Sequence, residues 1–462
     1  MIISESVSGI KPNAPSGATV ATRSGGAERA GEGLPLGIVT KTYSPGDPRG
    51  LQADAMDPET GEITTPSPQV ARANRWALKS VVNRLLPGSR TSKCMVLRAP
   101  IPGYGLSDID VCKGHTHGKA FYQGLLACGG VWTCPVCAAK ISERRRQELK
   151  DAIQAGGGMN MRVHFVTLTV PHGVGDDIKI LNDRLSKALK RLSQGKYSVR
   201  SQLKAISPGA EIHGYIRAFE VTHGHQNGFH PHYHMLVFTN QDVTPSFLQY
   251  VYGNAWQRAC RLSGLPEPSQ EHGCTVQDGL HAAKYASKWG LEDELTKAHT
   301  KQTRRKGATP WGLLRACLDG NDPEYPAERA AGLFQVYARA FAGRRQLYWS
   351  NGLRALLAMA PERSDEEVVA APEDERASLL ATLTPEQWKA IRRRRQEAHI
   401  LTVAESAPSL LASIIERMGA QPPEGRAQPP ARVSRGPLRG ANHGAEGGEH
   451  DRSIPPFDGS PG

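Results

Sequence analysis

The feature that most restricts the fold is a pair of alternating apolar segments joined by a short polar link. These are "GYIRAFEVTHG" (214–224) and "PHYHMLVFTN" (231–240), with Asn227-Gly228 between them. Side chains of a strand alternate between its two faces, so period-two patterning on both sides of an Asn-Gly turn predicts a β-hairpin. An antiparallel sheet must be assembled around it. "MRVHFVTLTVPH" (161–172) supplies a further strand, since Phe165, Thr167 and Thr169 alternate with Val166, Leu168 and Val170. Between these strands, "DDIKILNDRLSKALKRLSQ" carries Ile180, Leu181, Leu185, Leu189 and Leu192 at helical spacing. "TPSFLQYVYGNAWQRACRLSG" and "GLHAAKYASKWG" read as helices after the hairpin. Strand, helix, hairpin, helix, helix is an α+β order, with helices packed on an antiparallel sheet.

The ends differ in character. Residues 1–70 are rich in Gly, Pro, Ser and Thr without periodicity, and 421–462 form a second Pro/Gly-rich stretch, so both are expected to be disordered tails. Between them three segments are expected. They are a helix followed by a Cys/His-rich module at 71–150, a catalytic domain at 151–300 and a helical region at 301–420. In the last, "TLTPEQWKAIRRRRQEAHI" opens with a Thr-Pro-Glu helix start.

The chain has 57 Lys and Arg against 45 Asp and Glu, a net charge of +12 and a pI near 9.3. That surplus suits a polyanion, with nucleic acid ahead of an anionic membrane, although a generally basic protein would show it too. No run approaches the roughly 18 apolar residues of a membrane helix, and the start lacks the layout of a secretory signal. A cytoplasmic protein with no membrane partner is the expectation. Basic runs such as "KQTRRKG" are ordinarily solvated surface; in a nucleic-acid enzyme Arg304, Arg305 and Lys306 would contact phosphates.

His232 and His234 flank Tyr233, so both imidazoles project from one strand face, with His230 just before them. Two such imidazoles make half of a shell for a divalent ion, and Glu220 on the partner strand is the candidate carboxylate. An odd-length loop brings Glu220 to their face; a bare two-residue Asn-Gly turn sends it to the other. The longer loop is the one expected. A polar, solvated strand end is the alternative reading of His-x-His.

On the helix "HAAKYASKW", His281, Tyr285 and Lys288 share a face. A tyrosine can attack a phosphodiester and hold the product as a phosphotyrosyl ester, and a nearby cation stabilises its phenolate. Lys288 is the candidate cation and Lys284 could grip a DNA backbone. Taken alone, a helical tyrosine is more commonly a packing residue.

Five of eight cysteines fall between 94 and 137. "CKGH" (Cys112, His115) and "CPVC" (Cys134, Cys137) have zinc-ligand spacing, with Cys128 and His117 as competing ligands. Structural zinc is expected, with buried reduced thiols or a redox pair as alternatives. Cys94, Cys260, Cys274 and Cys317 read as ordinary small residues.

Together, "FVTLTVPH", "EVTHGHQNGFHPHYHMLVF" and "AAKYASKWG" resemble the three ordered motifs of rolling-circle plasmid replication initiators, members of the HUH endonucleases. The similarity runs from roughly 90 to 355. It implies that His232 and His234, with Glu220, bind Mg²⁺ or Mn²⁺. It also implies that Tyr285 nicks one strand of a plasmid origin and stays on the 5′ phosphate, while the free 3′-OH primes synthesis with a host helicase and polymerase. Many relatives have a glutamate four residues before the tyrosine; here it is His281. A relaxase or single-strand transposase of the same superfamily is one alternative. A non-catalytic, zinc-containing DNA-binding regulator is another.

Overall fold

A computed structural model of the chain describes residues 67–288, 307–371 and 376–420. Both expected tails, as well as Arg304, Arg305 and Lys306, lie outside the described residues apart from the first few positions of the N-terminal helix. Ten strands are used below: β1 (Pro100–Ile101), β2 (Gly105–Leu106), β3 (Ile109–Gly114), β4 (Ala120–Gln123), β5 (Arg162–Leu168), β6 (Ile212–Gly224), β7 (Gly228–Thr239), β8 (Cys274–Gln277), β9 (Leu347–Trp349) and β10 (Ala377–Leu383). The first seven helices are α1 (Pro68–Leu85), α2 (Arg90–Lys93), α3 (Pro135–Gly158), α4 (Ile178–Ser193), α5 (Val199–Ile206), α6 (Pro245–Arg261) and α7 (Gly279–Lys288).

The expected hairpin, β6–β7, is the spine of a five-stranded antiparallel sheet in the order β8-β5-β7-β6-β9. Both faces of this sheet are covered, which is why its strands carry apolar residues at odd and even positions. Tyr233, Met235 and Val237 of β7 join Val166 and Leu168 of β5 on one face. Against them pack Leu181, Leu185 and Leu189 of α4 and Leu248, Val251, Tyr252 and Trp256 of α6. Leu236 and Phe238 of β7, with Val163 and Phe165 of β5, point the other way. There they meet Leu149 and Ala152 of α3 and Ala282 and Ala286 of α7. Gly156 lets α3 lie directly on the sheet, since a Cβ there would stand 2.9 Å from the Phe238 ring. Asp177 caps α4 and Thr244 caps α6, each accepting from the amides of the first turn.

A second sheet, β10-β3-β4, stands apart from the first and is covered by helices at Pro385–Arg393, Glu397–Ser406 and Leu411–Ala420. Thr384 and Gln387 form a capping box at the first of these, at the expected Thr-Pro-Glu start. The region 301–420 is therefore not purely helical. It contributes β9 to the central sheet and β10 to the second, where Leu383 sits opposite Ile109. Neither short strand signals itself locally; each exists because an earlier strand offers it an open edge. Likewise α3 starts beside the cysteines and ends on the central sheet, so the segments around residue 150 share one core.

Candidate active site and cysteine centre

β6 and β7 are joined by the three residues His225, Gln226 and Asn227, with Gly224 opposite Gly228. The odd loop puts Glu220 directly opposite His232, in the register the longer loop requires. Gly228 has φ +71°, and a Cβ there would lie 2.8 Å from the carbonyl oxygen of Gly173. Only glycine fits this turn without displacing the neighbouring loop.

The Nε2 atoms of His232 and His234 lie 3.7 and 3.6 Å from Oε2 of Glu220. Each ring is held from behind. His232 Nδ1–H donates to the carbonyl of His230 at 3.1 Å, which turns Nε2 toward Glu220. His234 Nδ1 bonds the Thr167 hydroxyl at 3.0 Å, and its ring stacks on Phe165 with centroids 5.0 Å apart. Thr167 and Phe165 are neighbours of the site that the sequence reading did not single out. Thr167 sits opposite His234 in the β5–β7 ladder, so knowledge of strand pairing would have identified it.

The donor set suits a divalent cation. Adjacent ligands each about 2.1 Å from an octahedral ion lie roughly 3.0 Å apart, so closing the gaps of 3.6 and 3.7 Å takes a shift of about half an ångström. Among the described residues, Glu220, His232 and His234 bring their donor atoms within 4.8 Å of one another. His230 belongs to the same strand face but stacks against His172, with ring centroids 4.6 Å apart.

α7 docks through buried Ala282 and Ala286, and this brings Tyr285 over the sheet. Its hydroxyl donates to Oε1 of Glu220 at 2.5 Å, and its ring lies 4.7 Å from Phe165 and 5.1 Å from His234. One carboxylate thus faces the two imidazoles with one oxygen and the tyrosine with the other. Burial pushes the Glu220 carboxyl up, but His234, His232 and the Tyr285 hydrogen bond outweigh it and hold the pKa down at about 2. For His234 burial prevails over the pull of Glu220, and its pKa falls to about 4. His232 is opposed by burial yet raised by its contact with Glu220.

The other expected site residues are more dispersed. His281 lies in the first turn of α7, half-exposed, and its Nδ1 pairs with Asp278 at 3.0 Å. Lys284 is exposed on α7, and Lys288 is the last described residue of that helix. Among the described residues, a basic groove outside the expected set opens between α4 and α6, where Lys187, Lys190, Arg191 and Arg258 surround Tyr197. The Arg258 guanidinium lies 3.8 Å from the Tyr197 ring centroid.

The cysteines require a correction. The structure gathers Cys94, Cys128, Cys134 and Cys137, all buried, and not Cys112 or His115. Cys112 is carried into the second sheet by β3, where its thiol faces Gln123 at 3.6 Å. His115 Nε2 bonds the Ser378 hydroxyl at 2.7 Å, and His117 is exposed. Spacing made "CKGH" look like half of a knuckle, but strand pairing with β10 takes it away from "CPVC". Cys94, read as an ordinary small residue, returns to the group because it caps the C-terminus of α2.

A family model described as "Replication protein" matches residues 127–396, more than half of the chain. A "Protein rep" of Streptomyces lividans is 26% identical over 353 residues, covering 62% of this chain and 77% of that protein. A "Protein rep" of Staphylococcus aureus is 26% identical over 151 residues, covering 30% of this chain and 57% of its own length. A "Neomycin resistance protein" of Streptomyces cyanogenus is 31% identical over 139 residues, covering 26% of this chain and 32% of that one. No solved structure matches.

Proposed function

Because the chain belongs to the replication protein family and is a plasmid replication initiator of the Rep type, we propose that it starts synthesis by cutting one strand of its origin and holding the 5′ end on Tyr285. The observation that carries this reading is the two-sided engagement of Glu220. Its Oε1 accepts the Tyr285 hydroxyl while its Oε2 faces the Nε2 atoms of His232 and His234.

The reaction is a transesterification. Tyr285 Oη attacks the scissile phosphorus and releases its proton to water, the P–O3′ bond breaks, and the 5′ phosphate becomes a phosphotyrosyl ester. The leaving 3′ oxygen takes up a proton and becomes a primer end. Glu220, ionised across the neutral range, orients the phenol hydrogen away from the line of attack and leaves an Oη lone pair for phosphorus. A divalent Mg²⁺ or Mn²⁺ ion held by Glu220, His232 and His234 would supply charge stabilisation to the non-bridging phosphate oxygens. Tying each Nδ1 to Thr167 or to the His230 carbonyl fixes the rings before substrate arrives, so little ordering remains to be done. Rejoining is the same exchange in reverse and needs no nucleotide, since the phosphotyrosyl bond keeps the energy of the broken ester.

His281 stands one helical turn before Tyr285, where many relatives of the resembled class carry a glutamate. Hydrogen-bonded to Asp278, it is suited to take a proton from a second nucleophile at termination. Exposed Lys284, the basic segment with Arg304, Arg305 and Lys306, and the groove between α4 and α6 would hold the DNA backbone, and a host helicase and polymerase would extend the 3′ end. The net charge of +12 supports a DNA partner. Among the described residues no helix is long and apolar enough to cross a membrane.

The test uses supercoiled plasmid carrying the origin, with Mn²⁺ or EDTA, resolved on a denaturing gel with and without protease. Wild-type protein should give metal-dependent open circles with protein on the 5′ end. Tyr285→Phe should bind the origin with unchanged affinity and yield no covalent product. Nicking by that variant would transfer the nucleophile elsewhere.

A further inference from the structure

The geometry points to a buried zinc ion held by Cys94, Cys128, Cys134 and Cys137, a centre separate from the proposed nicking site and independent of that reading. Three of its sulfur–sulfur separations are 3.5 Å (Cys94–Cys137), 3.7 Å (Cys94–Cys134) and 3.8 Å (Cys128–Cys137). Four thiolates about 2.3 Å from one tetrahedral ion stand about 3.8 Å apart along each edge. A disulfide would bring one pair to about 2.05 Å and leave the others at arbitrary distances. An iron–sulfur cluster holds its thiolates apart around a cage of several metals, whereas sulfurs all within 4.8 Å of one another enclose room for a single ion.

The surroundings are those of a thiolate centre. Cys134 is the N-cap of α3 and Cys137 lies in its first turn, with Pro135 at the first helical position. That helix end has no side-chain cap hydrogen bond and no acidic residue in its first turn. Anionic sulfur therefore takes the place that a serine or aspartate fills elsewhere in the chain, where the helix dipole favours negative charge. The Gly130 amide donates to Cys128 Sγ at 3.3 Å, a backbone contact of the kind that steadies metal thiolates. All four cysteines are at most 3% exposed, as expected of a closed structural site with no open coordination position.

The ligands come from three separate stretches: the end of α2, the loop after β4 and the start of α3. The ion would therefore anchor α3, whose far end lies under the catalytic sheet and beside α7. Binding in such a site is folding free energy, because the unfolded chain holds no preformed cage.

The decisive experiment measures metal in the purified full-length protein by mass spectrometry, then releases it with a mercurial against a chromogenic zinc indicator. One zinc per chain, retained through EDTA dialysis and released as four thiols are titrated, is expected. Protein grown with Co²⁺ should show the intense near-ultraviolet sulfur-to-cobalt band that a site of one carboxylate and two imidazoles lacks. Cys112→Ser should keep the band at full intensity, and Cys94→Ser should weaken it by about a quarter or more, since one of four thiolates is gone. Should Cys94→Ser fail to fold, the wild-type cobalt spectrum and thiol count still decide. Folded, metal-free protein with four freely reactive thiols would overturn the proposal. So would iron in place of zinc, or a band that depends on Cys112 and not Cys94.

Discussion

Replacing Thr167 with valine tests whether the histidines are held ready for a metal. Thr167 sits on β5 opposite His234, and its hydroxyl is the partner of His234 Nδ1 at 3.0 Å. Valine keeps the branch at Cβ and the volume, so the strand and the Phe165–His234 stack should survive. What is lost is one hydrogen bond to a ring nitrogen that sits beside the apolar core. A bond of this kind contributes about 1 kcal/mol, and leaving its partner unsatisfied raises the cost to roughly 1–3 kcal/mol. Without it the imidazole is free to rotate, and its Nε2 is no longer held toward Glu220. Loss of such an outer partner typically costs about 10- to 100-fold in metal affinity, or roughly 1.4–2.7 kcal/mol. The assay is calorimetric titration with Mn²⁺, a hard ion that favours the carboxylate and imidazoles over the cysteines. Thr167→Val should bind about tenfold more weakly or worse and Thr167→Ser nearly as wild type; metal-free Thr167→Val should stay folded with a melting temperature lowered by only several degrees, as a loss of roughly 1–3 kcal/mol allows. A Thr167→Val dissociation constant within twofold of wild type would refute the idea that this hydroxyl holds the ring in place. Wild-type protein that takes up no Mn²⁺ would refute the metal site itself.

Three other outcomes are expected. His164 and His223 are buried, and burial holds both pKa values down at about 4. Both are neutral in the native state, so stability is complete above the ordinary value near 6.5 and falls as pH drops toward 4, where the unfolded chain binds protons the folded one refuses. Thermal midpoints between pH 8 and 4.5 should fall on acidification, with a shallower slope in His223→Gln; an identical slope would remove that histidine from the explanation. Gly228→Ala forces an L side chain to φ +71° against Gly173, and calorimetry should register a loss of about 1–3 kcal/mol; a neutral result would mean that the loop at 173 moves freely. Glu148 is almost fully buried and bonds Arg145 at 3.0 Å and Arg354 at 3.2 Å, so Glu148→Ala removes a carboxylate that both share and should cost about 3–5 kcal/mol in urea unfolding; under 1 kcal/mol would show that the existing contacts of Arg145 with Asp365 and Glu362 suffice.

Local chemistry wrote much of this molecule. Alternation in 214–224 and 231–240, with Asn-Gly between, determined the hairpin, and the parity of its loop determined that Glu220 shares a face with His232 and His234. Helical spacing put Tyr285 on α7 with His281 and Lys288. The Thr-Pro-Glu start at Thr384 marked a helix, because a capping oxygen and the amides it satisfies lie within three residues of each other. These features depend on neighbours in sequence, so they can be read there. The tertiary structure alone decided the rest. Cys94 joins three cysteines more than thirty residues away, while Cys112 and His115, with better spacing, are drawn off by pairing between β3 and β10. Thr167 acquires its role only when β5 lies beside β7, and Tyr285 meets Glu220 only when Ala282 and Ala286 seat α7 against the sheet. Each of those contacts is stabilised by apolar area buried between distant segments, a term that depends on total burial and carries no signature in any short stretch of chain.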